Sequence, residues 1–228
     1  MSILKITPTQ KILFFDIETA SAHKNVKKEN PAMFDLFRYK HRDRETEALL
    51  SEADTIALYD KTAALSPIYG KIVCISAGYI NGAEFRMTSF VGEEKDILKS
   101  FIETVKSSKR VLCGYNTPFD VPYIRKRFIA NGLPDYLNNL QGNDSFMKPW
   151  DLDKIIIDLM VAWKGVGYTT DSLEEVCFAL GIDSPKDGDV TGSNVSKSFH
   201  SGKIEKIKEY CEKDVAATMK VYLKLKNY

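Results

Sequence analysis

Charge of one sign is missing from this chain: 32 basic residues face 31 acidic ones, for a net charge of +1. A protein that coats nucleic acid usually carries a domain pI above about 9. Extended phosphate wrapping is therefore excluded, whereas a strand held locally by one end is not. Cysteine is sparse, and Cys74, Cys113, Cys177 and Cys211 are scattered with no Cys-x-x-Cys pair. They read as buried thiols in a reducing cytoplasm. The three histidines, His23, His41 and His200, form no ligand pattern. No apolar run approaches the roughly 20 residues of a membrane span, so no membrane segment is expected. The first eleven residues show no apolar signal-peptide core. Internal repeats and low-complexity segments are also lacking.

What is present is the make-up of an ordinary globular protein, 44% apolar and 28% charged. A chain of 228 residues can bury a full core without disulfides or metal staples. It reads as one domain over 1–228.

The chain is organised around Lys11 to Thr19. Four apolar residues, Ile12 to Phe15, lead into Asp16, Ile17 and Glu18. A run this apolar, without Gly or Pro, suits a central strand covered on both faces. Side chains alternate along a strand, so Asp16 and Glu18 share a direction and Ile17 points away. Two carboxylates at the end of a buried strand need a cation between them, because desolvating an isolated charge is costly. The competing reading is a pair of solvated acids just past the strand end. Further carboxylates downstream decide between the two.

Residues 21–66 are polar, with basic clusters Lys24, Lys27, Lys28 and Arg38, Lys40, His41, Arg42, Arg44. Ala32 to Ala57 lacks Gly and Pro and is read as a helical insertion with a solvated face. Ile72 to Ile80 and Glu84 to Phe90 flank Asn81-Gly82, a hairpin signal. Glu93 to Ser107 has helical apolar spacing. Val111 to Tyr115 is the next strand, and Phe119 to Ala130 a helix stopping at Asn131-Gly132. Residues 131–153 read as irregular. Ile155 to Ile157 predict a short strand ending at Asp158. Ser172 and Glu175 form a capping box that opens a further helix. Asp183 to Gly202 is rich in Ser, Gly, Asp and Lys and is read as a mobile loop. Ile204 to Lys226 is the closing helix. The order implies an α/β domain with a mixed sheet, an antiparallel meander followed by parallel strands, and helices on both faces.

Three more acids stand out. Asp120 falls where a helix begins, with Pro122 placed in its first turn, so on local grounds it reads as a helix cap, with a ligand as the competing reading. Asn116 either braces the preceding turn or contacts a substrate. Asp214 lies four residues after Tyr210 on the closing helix and shares its face. Ala217 and Val221 continue that stripe, beside the core stripe of Ile204, Ile207, Cys211, Val215 and Tyr222. This puts Asp214 at the edge of the buried side, although a solvated acid among lysines is the competing reading. Asp158 is read as a cap or a residue supporting the site. Phe119 and Tyr123 are candidates to stack on bases, with core packing as the alternative. Arg125, Lys126 and Arg127 read as a solvated helix face, with contact to phosphates as the alternative.

Together these segments resemble the DEDD superfamily of 3′–5′ exonucleases on the ribonuclease H-like fold. Asp16-Ile17-Glu18 is similar to the first motif, Asn116 to Asp120 to the second, and Tyr210-x-x-x-Asp214 to the third in its tyrosine form. The histidine form would need His at position 209, which is Glu209. The run resembles most the proofreading exonuclease domain of family B DNA polymerases, here freestanding; Ser66 to Ser76 and Leu180-Gly181-Ile182 fit that group too. Three motifs in order, on the right kinds of element, are more specific than any one alone.

The resemblance implies hydrolysis of terminal phosphodiesters of single-stranded nucleic acid, DNA rather than RNA. Two Mg²⁺ or Mn²⁺ ions about 4 Å apart would clamp the attacking and leaving oxygens. Asp16, Glu18, Asp120 and Asp214 offer four negative charges against four positive ones. Asp16 would bridge the ions, Glu18 and Asp214 hold the ion that activates water, and Asp120 act through the other ion or bound water. The Tyr210 hydroxyl would orient the attacking water. Asn116, Phe119 and Tyr123 would contact the substrate. The competing class is a nucleic-acid-binding module of the same fold that has lost the chemistry.

Overall fold

Ten consecutive residues from Ile12 to Ser21 form β1, preceded by a one-turn helix α1 (Ile3–Ile6). The computed structural model describes residues 3–134, 156–184 and 188–227. Every residue of β1 except Asp16 is buried. A strand covered on both faces feeds two cores. Leu13, Phe15 and Ile17 enter one, and Ile12 and Phe14 enter the other. The strand does not end at its acids, as the sequence suggested, but runs on through them to Ser21.

The other strands are β2 (Gly70–Asn81), β3 (Glu84–Val91), β4 (Val111–Gly114) and β5 (Ile156–Asp158). They build one sheet in the order β3-β2-β1-β4-β5. β1, β2 and β3 pair antiparallel, while β4 runs parallel to β1 and β5 parallel to β4. This is the mixed α/β architecture expected. Residue 155, which the sequence placed in β5, and most of the stretch 131–153 lie outside the described residues.

The insertion after β1 holds three helices, α2 (Val26–Glu29), α3 (Pro31–Lys40) and α4 (Glu52–Thr62). The continuous helix expected over 32–57 is broken. The Asp43 carboxylate accepts from Glu45 N at 3.0 Å and Thr46 N at 2.7 Å, a local bonding pattern that competes with helix. Ser51 then caps α4 by accepting from Asp54 N. Val26, Phe34, Phe37, Tyr59 and Tyr69 give the insertion its own small core. Three of its basic residues are engaged locally: Lys27 with Glu52, Arg42 with Glu47, and Arg38 with the Leu50 carbonyl.

One sheet face is covered by α5 (Glu94–Ser108) and α6 (Thr117–Ala130), which bury Leu98, Phe101, Ile124 and Phe128 against Phe15 and Ile75. The opposite face carries α7 (Leu159–Lys164), α8 (Leu173–Ala179), α9 (Val195–His200) and α10 (Ile204–Lys226). There Val215 and Tyr222 pack with Phe14 and Ile157. α9 corrects the expectation of a loop throughout 183–202. It is held to the end of β1, where Ser21 N donates to Ser196 Oγ at 3.0 Å and Ser21 Oγ lies 2.9 Å from His200 Nε2. Among the described residues no helix is long and apolar enough to cross a membrane.

Candidate active site

Two irregularities of the sheet expose the acids of β1. The pairing with β4 ends at Phe14–Cys113, because β4 stops at Gly114 and the chain turns into α6. Asp16 and Glu18 are thus paired only on the β2 side, and a cleft opens beyond the end of β4, the usual place for a ligand in such a sheet. On the β2 side the register slips between Glu18–Cys74 and Thr19–Ile72, leaving Val73 as an extra residue. Val73 and Cys74, although consecutive, both pack into the cluster of Tyr210 and Cys211. A bulge of this kind bends the strand and re-aims neighbouring side chains.

The remaining groups arrive from two helices. α6 begins at Thr117, earlier than expected, with Pro118 in its first positions and Pro122 inside it. Asn116 takes the capping position in a left-handed conformation (φ 65°) that Asn tolerates, and its side chain makes no cap hydrogen bond. Asp120 is therefore not a cap. It is buried, on the lining of the cleft beside Asp16 and Glu18. From α10, Tyr210 and Asp214 reach the same place one turn apart. Asp16, Glu18, Asp120, Tyr210 and Asp214 all line a single cleft of about 580 Å³, together with Asn116 and Phe119.

Burial and crowding raise the proton affinity of Asp16, Glu18 and Asp120. Asp16 is pushed well above the usual carboxylate range by burial, then by the charges of Asp214 and Asp120; the Cys211 thiol, 3.4 Å from its Oδ2, opposes this. Glu18 is raised by burial, then by Asp16 and Asp214. Asp120 is pushed up to about 8, chiefly by burial, against the pull of backbone N–H groups. The Tyr210 hydroxyl is raised by burial and by the surrounding acids. Glu18 is only 7% exposed, and its carboxylate accepts no hydrogen bond among the described residues. Donor atoms of Asp16, Glu18 and Cys211 lie within 4.8 Å of one another. That tight group is two hard carboxylate donors and one thiol, and an orphaned buried carboxylate among like charges is the environment a divalent cation satisfies.

A family model described as a predicted 3′–5′ exonuclease related to the exonuclease domain of PolB matches residues 64–228. The chain belongs to this exonuclease family. The match covers Asp120, Tyr210 and Asp214; β1 with Asp16 and Glu18 precedes it, as does most of the helical insertion. None of the curated proteins matches the chain.

In this exonuclease-family chain Asp158 proves to support the site. Its Oδ1 accepts from Val161 N at 3.0 Å, capping α7, while its Oδ2 accepts from Thr117 N at 2.7 Å and Thr117 Oγ1 at 2.9 Å. That pins the first turn of α6, from which Asp120 projects. Gly114 permits the tight approach: a Cβ there would meet Thr117 Cγ2 at 2.9 Å.

Two expectations are corrected. Tyr123 does not face the cleft. It is 2% exposed, and its hydroxyl donates to the carbonyls of Ala64 at 3.0 Å and Ser66 at 3.3 Å. Helical periodicity places it three residues beyond Asp120, but the side chain turns under the β1–β2 end of the sheet. Nor is Arg127 on a solvated face. It pairs with Glu94 and donates to the Pro67 carbonyl at 2.9 Å. Sequence reasoning also missed the far wall of the cleft, where Tyr115, Thr170, Asp171 and Glu175 line it. The capping box at Ser172 gave the start of α8 without revealing what that helix faces.

Proposed function

We propose that this protein is a metal-dependent 3′–5′ exonuclease of the tyrosine subtype. It acts as a single domain on 3′ ends of single-stranded nucleic acid, DNA in preference to RNA, and releases nucleoside 5′-monophosphates. The observation that carries this reading is the convergence of Asp16, Glu18, Asp120, Asp214 and Tyr210, from three distant segments, on one cleft. Four buried thiols without a disulfide support a reducing, cytoplasmic setting.

Asp16, Glu18, Asp120 and Asp214 would hold two Mg²⁺ or Mn²⁺ ions. When bound, the ions supply positive charge for the phosphate oxygens and lower the pKa of water. The carboxyls must shed their protons to bind metal, which couples metal affinity to pH. Tyr210 keeps its proton at neutral pH, because burial and neighbouring acids raise its pKa. It serves as a hydrogen-bonding group that orients the attacking water, not as a base. Phe119 and Asn116 lie on the lining where the terminal nucleotide would rest.

The test is digestion of end-labelled single-stranded DNA and RNA with Mg²⁺ or Mn²⁺. The expected outcome is a ladder shortening from the 3′ end, lost on EDTA addition and in Asp16→Asn. Undiminished activity in Asp16→Asn, or equal cleavage of circular strands, would refute the proposal.

A further inference from the structure

The two acids of β1 differ in what holds them. Glu18 is buried on the lining of the cleft and meets no hydrogen-bond donor among the described residues. It is a group awaiting a cation. Asp16 also lines the cleft, but its Oδ2 accepts from the Cys211 thiol at 3.4 Å, across 195 residues of chain. The same sulfur lies 3.5 Å from the Asp16 carbonyl oxygen, and among the described residues no other donor is bonded to that carboxylate. Cys211 is fully buried and stands off the cleft lining. It packs with Val73, Cys74 and Ile207, where α10 lies on β1 and β2. On α10 it falls between Tyr210 and Asp214, both of which line the cleft. The thiol thus ties the helix of Tyr210 and Asp214 to the strand of Asp16, and does so from the core side.

Resting on the metal site of the exonuclease reading, we propose that Cys211 is a positioning residue whose thiol fixes the Asp16 carboxylate for metal binding. Asp16 is then oriented before a metal arrives, whereas Glu18 is left to adjust to it. A thiol is a weak donor, but a hydrogen bond to an ionised acceptor is roughly twice as strong as one between neutral groups. The bond counts most when Asp16 is charged, as it must be to hold a metal ion. Removing a group that orients a metal ligand through a hydrogen bond costs about 10- to 100-fold in affinity. Although the sulfur lies within 4.8 Å of donor oxygens of both β1 acids, it stands off the lining, so it acts through Asp16 and is not itself a ligand.

Calorimetric titration with Mn²⁺ alone measures this without turnover. Cys211→Ala should weaken Mn²⁺ binding about 10- to 100-fold. Cys211→Ser, which restores a donor at the same place, should recover most of that loss. Both variants remove the bulk of the sulfur, so a role in packing alone would weaken binding alike in the two. That result, or unchanged affinity in Cys211→Ala, overturns the proposal. If neither variant folds, the infrared S–H stretching bands decide. A hydrogen-bonded thiol band of the wild type should be displaced in Asp16→Ala, and an unmoved thiol spectrum overturns the proposal. A sulfur-to-Co²⁺ charge-transfer band that is lost in Cys211→Ser would make the thiol a ligand and overturn it as well. A wild type that binds no Mn²⁺ removes the metal site and this proposal together. Mn²⁺ binding without strand hydrolysis by the wild type removes the exonuclease reading only, and the Ala and Ser variants still decide the role of Cys211.

Discussion

The Asp158 carboxylate receives both the backbone N–H and the hydroxyl of Thr117, at 2.7 and 2.9 Å. Through this contact the end of β5 fixes the start of α6, three residues before Asp120. Asp158→Ala should therefore do two things. It strands a buried donor, at a cost of about 1–3 kcal/mol measurable by urea unfolding. It should also lower Mn²⁺ affinity about 10- to 100-fold in calorimetric titration, as loss of a residue that orients a ligand does.

The acids predict a pH dependence for the metal-free protein. The folded-state pKa of Asp120, about 8, lies above its unfolded value of 3.8. The folded state then holds the extra proton, so stability is full below about pH 4 and declines as pH rises towards 8. Asp16 and Glu18 act in the same direction. Melting temperatures in EDTA should fall over this range, and saturating Mn²⁺ should flatten the decline. A flat profile in EDTA would count against the crowding. Asp120→Asn should remove part of the slope.

Tyr210→Phe keeps the ring that packs with Val190 and Cys211 but removes the hydroxyl. Turnover should fall by about 10²-fold, the scale of losing one positioned hydrogen-bond donor, with Mn²⁺ affinity held within about twofold. Because the hydroxyl is raised above its ordinary pKa, the alkaline side of the rate profile should not report its ionisation. Parallel loss of turnover and metal binding would assign Tyr210 a structural role.

Arg127 and Glu94 form a largely buried pair that also serves Ile72 N at 2.7 Å and Asn131 Nδ2 at 3.0 Å. Arg127→Ala should destabilise the fold by about 3–5 kcal/mol, because it leaves Glu94 uncompensated. Thermal unfolding checks this, and strand affinity at permissive temperature should be unaffected. Tyr123→Phe should likewise cost stability and spare activity.

Local pattern was a good guide wherever one interaction dominates. The apolar run before Asp16 suited a strand buried on both faces, and the period of α10 placed Tyr210 and Asp214 on one side of it. The capping box at Ser172 formed as spaced. Pattern misled where two local preferences compete. Asp120 has the composition of a cap, but Pro118 starts α6 a few residues earlier and carries the carboxyl inward. In the stretch 183–202, turn-forming composition hid a helix, because α9 is stabilised by contacts with Ser21 on a distant strand.

The sequence by itself determined the order of the strands and of the long helices, the alternation that aims Asp16 and Glu18 together, and the spacing of Tyr210 and Asp214. Hydrophobic periodicity and chain stereochemistry act over a few residues, so a linear reading suffices for them. Only the tertiary structure decided that Asp120 shares a cleft with the β1 acids, that Tyr123 belongs to the core, and that the start of α8 lines that cleft. Those outcomes depend on where β4 stops, on the extra residue at Val73, and on Asp158 pinning α6. Each is a contact between segments remote in the chain, and no local preference encodes it.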